Sequence, residues 1–221
     1  MKRAGFALFF AMVVLVAGSE ASIVKVTYTA DNVVGAMYQN GGNAQPIPVG
    51  PNAKIWQKAD TVSLDLDWGH EYQLIFLVQQ YAGSGTNPAA LLAQVWGEVE
   101  NVPVLTSAAW EYSYAGVFPK DDFTGLVVPS DFNDPNQIVW SPATTYGNNG
   151  VSPWGTIAGI NADAQWIWRA PEYDATGKII YPPTGETLWL RTTVTTLTPE
   201  PTTFLIWSLL GGLALTIWRR R

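Results

Sequence analysis

Between Ser22 and Thr198 the chain carries sixteen carboxylates and nine tryptophans, while the full 221 residues contain one histidine and no cysteine. Carboxylates occur as close pairs at Asp65/Asp67 and Asp121/Asp122. Such pairs could act as acid and base on a glycosidic bond, or supply part of a calcium shell. Asp65 and Asp67 alternate with Leu64 and Leu66, which reads as the solvated face of a strand. Asp121 and Asp122 fall in an acidic loop. Asp31, Asn32 and Asn40 could ligate an ion, but no calcium-loop spacing accompanies them. No cofactor is therefore expected, with a structural calcium left open. His70, in Asp67-Trp68-Gly69-His70-Glu71, would have to be the shared base of any serine triad. No Gly-x-Ser-x-Gly elbow accompanies it, so it reads as a surface turn residue. Without cysteine there is no thiol nucleophile and no zinc–thiolate site. The chain is expected not to be an enzyme.

The tryptophans suit a different chemistry. Indole faces stack on sugar C–H surfaces while Asp, Asn and Gln bond hydroxyls. Trp56, Trp140 and Trp154 lie beside turns and are the ligand candidates. Trp68, Trp110 and one of Trp166 and Trp168 are assigned to the core, as bulky rings often are in a sandwich. Trp166 and Trp168 share a strand face, so both should be buried or both exposed. The same span holds seven basic side chains, nine fewer than its acidic ones. That surface repels phosphate backbones and excludes nucleic acid as a partner.

The elements that must position these residues are strands. Ile23 to Thr29 and Thr61 to Trp68 alternate apolar and polar residues. Tyr72 to Gln80 is more fully apolar, and Ala89 to Val99 is similar, with a short helix as its alternative. Ala109 to Tyr114, Gln137 to Trp140, Ala164 to Arg169 and Thr187 to Thr195 complete the set. Turns at Asn40-Gly41-Gly42-Asn43, Gly83 to Pro88 and Gly147-Asn148-Asn149-Gly150 separate them. Phe118 to Asn136 reads as a long acidic surface loop. The fold class expected is all-β, an antiparallel jelly-roll β-sandwich over residues 22–198.

The two ends are different. Lys2 and Arg3 precede an apolar run from Ala4 to Ala17 and a small-residue exit at Ser19 and Ala21. These are the parts of a secretory signal peptide over residues 1–21. At the other end, Pro199-Glu200-Pro201 leads into an uncharged span, Phe204 to Trp218, and then Arg219-Arg220-Arg221. The span reads as a transmembrane-like helix with its arginines on the cytoplasmic side. This arrangement resembles the PEP-CTERM family of bacterial sorting tags. The resemblance implies recognition of Pro199, Glu200 and Pro201 by an exosortase-type transpeptidase. The chain would reside transiently in the inner membrane and then at the cell surface or in the extracellular matrix. The Thr-rich stretch Thr192 to Thr198 is expected to act as a spacer before the tag.

A second resemblance covers most of the body, Tyr28 to Arg169. The order Thr29-Ala30-Asp31-Asn32, Tyr38-Gln39-Asn40-Gly41, Asn87-Pro88-Ala89-Ala90-Leu91-Leu92, Leu105-Thr106-Ser107-Ala108-Ala109-Trp110 and Ala164-Gln165-Trp166-Ile167-Trp168 is similar to galactose-binding-like, lectin-like jelly rolls. Departures are Gln45-Pro46-Ile47-Pro48 after the first hairpin, Thr106-Ser107 in place of Thr-Asp, and the long Phe118 to Asn136 insertion. The resemblance implies a module that binds or organises extracellular polysaccharide. A ligand-free matrix component and a glycoside-active enzyme are the alternatives.

Overall fold

A computed structural model describes residues 21–81, 89–100 and 103–198. The expected signal peptide up to residue 20, the turn at 83–88, and the expected sorting tag at 199–221 lie outside the described residues. The chain forms β1 (Ala21–Asp31), β2 (Val33–Asn40), β3 (Ala44–Ile47), β4 (Asp60–Asp67) and β5 (Glu71–Gln79). It continues with β6 (Ala90–Gly97), β7 (Val104–Leu105), β8 (Glu111–Val117), β9 (Ser141–Pro142) and β10 (Thr144–Asn148). The last four are β11 (Gln165–Trp168), β12 (Glu172–Tyr173), β13 (Ile179–Ile180) and β14 (Glu186–Thr195). Among the described residues there is no helix, and none long and apolar enough to cross a membrane.

Two antiparallel sheets face one another as a β-sandwich. The first runs β10-β11-β6-β1-β4, with β7 beside β6; the second runs β3-β2-β5-β14-β8-β9. Between them lie Val24, Val26 and Tyr28 of β1, Leu64 and Leu66 of β4, and Leu91, Ala93 and Val95 of β6. Opposite are Leu74, Phe76 and Val78 of β5 and Leu188 and Leu190 of β14. Trp110 packs on Phe76 with ring centroids 5.7 Å apart. The Ala89 to Val99 segment is a strand and not a helix, because β6 is paired on both sides.

The uninterrupted apolar runs have a physical reason: where they lie, the outer faces of the sandwich are covered. A strand buried on both faces needs apolar residues at every position. On the second sheet, Ile75, Leu77 and Trp189 are capped by Phe132 and Ile138, with Phe123, Leu126 and Trp140 beside them. The Phe118 to Asn136 segment is therefore a packed third layer, which corrects its reading as a surface loop. Buried Gln79 holds its start, donating from Nε2 to the Pro119 carbonyl at 3.0 Å and accepting from the Asp121 amide at 3.1 Å. Gln137 to Trp140, expected as a strand, is a turn and irregular backbone that closes this layer. On the first sheet, Ala90, Leu92 and Trp166 are covered by Trp154, Ile157 and Ile160.

The Thr-rich stretch before the tag is not a spacer. Its first half, Thr192 to Thr195, is the end of β14 and pairs with β5. Beyond it, Thr196 is fully buried, and its Oγ1 donates to the Asp67 carbonyl at 2.6 Å. The Leu197 amide donates to the Glu98 carbonyl at 3.1 Å. The Thr196 hydroxyl, which by composition looks solvated, instead satisfies backbone groups at the end of the sandwich, accepting from the His70 amide as well.

Candidate functional site

The end of the sandwich opposite Ala21 and Thr198 gathers the ends of β1, β5 and β11 and the starts of β6 and β14. A cleft of about 290 Å³ opens there. Tyr146 of β10, Trp168 and Arg169 at the end of β11, and Pro153 form its body side. Ile180 and Tyr181, from the small β12–β13 hairpin, form the facing wall.

Arg169 is the joint of this cleft. Its Nε donates to Glu186 Oε1 at 2.7 Å and its Nη2 to Glu186 Oε2 at 3.0 Å, a fork-to-fork pair. Its Nη1 reaches Glu172 Oε1 on the hairpin at 2.9 Å and the Ala170 carbonyl at 3.2 Å. One guanidinium thus ties the hairpin wall to the sandwich. Glu186 is 2 % exposed and also accepts the Trp168 indole N–H at 3.1 Å. Both carboxylates beside the cleft are engaged by the same cation. The Tyr146 hydroxyl donates to the Arg169 carbonyl at 2.8 Å. Burial pushes its phenol up to about 12, against the opposing pull of the Arg169 guanidinium. The cleft therefore offers fixed aromatic and aliphatic surface around a firmly paired floor.

The three tryptophans proposed as ligand contacts do not meet. Trp154 is 5 % exposed, stacks on Trp166 at 4.8 Å with the planes 18° apart, and donates its indole N–H to Asp31 Oδ2 at 2.9 Å. It is an interior residue, a correction to its reading as a ligand contact: a turn beside it folds back onto the sheet. Trp56 is half-buried against the same cluster, and its carbonyl accepts from Thr29 Oγ1 at 2.8 Å. Trp140 lies on the opposite face of the molecule. Its indole N–H donates to the Phe132 carbonyl at 3.0 Å, and the Arg191 guanidinium sits 4.1 Å from its ring centroid. Trp166 and Trp168 are both buried, but in different clusters. Trp68, assigned to the core, is half-buried in the turn after β4.

The polar candidates are also dispersed. Asp65 and Asp67 are exposed on β4, as a solvated face requires. Asp121 pairs with Lys54 at 2.9 Å, and Asp122 is held below the usual carboxylate range by the Thr124 hydroxyl and amide. Asp31 and Asn32 sit at one end of β2 and Asn40 at the other, where its Nδ2 donates to Asp131 Oδ1 at 3.2 Å. Those three do not converge on an ion. Among the described residues no group of three His, Cys, Asp or Glu side chains is placed to hold a metal. His70 is exposed in its turn, its amide bonded to Thr196 Oγ1 at 3.0 Å.

Sequence reasoning did not single out Tyr146, Tyr181 or Arg169. The only signal was the cluster of Pro and aromatic residues at Pro171 to Pro183, which carries no strand period long enough to read. Compared with known proteins, the chain matches no family model, no curated protein and no solved structure.

Proposed function

We propose that this chain is an exported, surface-sorted, non-enzymatic jelly roll of galactose-binding-like type that binds or organises extracellular polysaccharide. The observation that carries the binding role is the cleft lined by Tyr146, Trp168 and Tyr181. Its volume is at the small end for ligand sites, which suits a sugar ring or chain end better than an extended polymer. Rings stack on Tyr181 and Tyr146, and hydroxyls meet the backbone carbonyls and amides at its rim. The engaged state of Glu172 and Glu186 favours binding over glycoside hydrolysis, which needs one carboxyl free to give a proton.

The placement of the chain ends supports the sorting role. Thr198 leaves the sandwich where Asp67 and His70 lie, and β14 runs from there to the cleft over ten residues. At about 3.4 Å per residue the cleft stands about 30 Å from the far end of β14. A chain held in the inner membrane through its C-terminal span would present the cleft outward. Pro199, Glu200 and Pro201 would be the element an exosortase-type transpeptidase recognises, and their replacement by alanine should leave unprocessed chain in the membrane.

The binding test is an array of uncharged galactose- and glucose-terminated oligosaccharides, probed with the full-length chain and with Tyr181→Ala. Binding that Tyr181→Ala weakens at unchanged thermal stability supports the cleft. Absence of binding to every glycan sinks it and leaves a structural matrix component. Repeating the array with chelator decides whether calcium takes part.

A further inference from the structure

The outer face of the first sheet is covered over only half its length. From Ile23 to Thr27, β1 still alternates: Val24 and Val26 are buried, Ile23 is exposed and Lys25 half-exposed. Beyond Thr27 the Trp154 cluster takes over. The register places Lys25 between Ser63 of β4 and Trp96 of β6, Thr27 between Thr61 and Gln94, and Ile23 beside Asp65. These side chains form one flat platform. Trp96 is 38 % exposed and Ile23 50 %, the apolar part of the surface. The indole is pinned, its N–H on Thr27 Oγ1 at 3.2 Å, and that oxygen lies 2.9 Å from Thr61 Oγ1. A ring already fixed loses little freedom on binding.

Charge sets the occupant. Asp65 and Asp67 project from β4, and Glu98 stands at the other side, its Oε2 accepting the Ile23 amide at 2.8 Å. The single cation among them, Lys25, lies 4.6 Å from the Trp96 ring centroid and forms no ion pair with them. A flat face with a fixed indole, a row of hydroxyls and an excess of carboxylates fits an extended sugar polymer bearing ammonium groups. Anionic polymers are repelled by the same carboxylates.

We propose that this platform binds polysaccharide rich in amino sugars with free amines. Sugar faces pack on Ile23 and, as the flexible Lys25 side chain swings off the indole, on Trp96; Ser63 and Thr61 bond hydroxyls, and Asp65 and Asp67 pair with the ammonium groups. This site is separate from the cleft, which is tested with uncharged sugars, so failure of either leaves the other standing.

The experiment is calorimetric titration of the full-length chain with fully de-N-acetylated glucosamine oligosaccharides and with their N-acetylated counterparts. The free-amine oligomer should bind more tightly, and its affinity should fall as salt shortens the Debye length from about 10 Å to about 3 Å. Asp65→Asn combined with Asp67→Asn removes two exposed ion pairs and should weaken binding about fivefold. Trp96→Ala should weaken it as well, whereas Val139→Ser, on the opposite side of the sandwich, should not. Near-UV circular dichroism checks that each variant is folded. Equal affinity for the N-acetylated oligomer, an unaffected Asn double variant, or no binding at all would overturn the proposal.

Discussion

Trp154 distinguishes an interior residue from a ligand contact by experiment. Its indole is stacked on Trp166 and donates to Oδ2 of buried Asp31, a residue 123 positions away. Truncation to alanine removes a large buried ring, which costs about 3–5 kcal/mol. Phenylalanine keeps much of the stacking surface but loses the hydrogen bond to a buried carboxyl oxygen, about 1–3 kcal/mol. For a chain of this length 1 kcal/mol moves Tm by about 2–4 °C. Taking about 4 kcal/mol for Trp154→Ala, the midpoint should fall by about 8–16 °C. Trp154→Phe, at about 2 kcal/mol, should lower it by about 4–8 °C. The assay is thermal unfolding of the full-length chain followed by near-UV circular dichroism, with glycan binding measured well below both midpoints. Both variants should retain whatever binding the native chain shows while folded. An unchanged midpoint in Trp154→Ala, together with lost binding, would refute the interior assignment.

Phe132→Ala should release the third layer without unfolding the sandwich. Phe132 is fully buried, with its ring 5.1 Å from Trp189 and 5.7 Å from Tyr38. Hydrogen exchange should accelerate across residues 118–140 and remain slow in β1 and β6; uniform acceleration would show that the layer does not open separately. Alkaline pH should destabilise the fold. Burial raises Tyr146 to about 12 and also raises Tyr28 and Tyr38, above the value of about 10 expected in an unfolded chain. The folded state then holds protons that the unfolded state releases, so this stability is complete below about pH 10 and is lost as pH rises toward about 12. Urea midpoints that stay level or rise across that interval would contradict it.

Period-two alternation located β1 and β4 because each meets water along much of one face. The more fully apolar run at Tyr72 to Gln80 marked a strand, and the structure shows why it and Leu188 to Leu190 are apolar throughout: both are buried on two sides. What would cover their outer faces was not legible. Phe123, Phe132 and Ile138 are spread through an acidic, Pro-containing stretch with no period, and only docking on Ile75, Leu77 and Trp189 gives them one face. The β12–β13 hairpin was missed for a related reason: two-residue strands carry no measurable alternation.

By itself the sequence determined that the body is built of antiparallel strands and that it does without disulfides. Those are local properties of composition and spacing, readable without knowing what lies across the sheet. Tertiary structure alone decided the fate of the aromatic residues. Proximity to a turn did not separate buried Trp154 from exposed Trp96, because exposure depends on whether a distant segment folds over that part of the sheet. Closure of the chain on itself also joined Arg169 to Glu186 and to neighbouring Glu172 beside the cleft. It stopped short of Ile23, Lys25, Asp65 and Trp96, leaving the platform open.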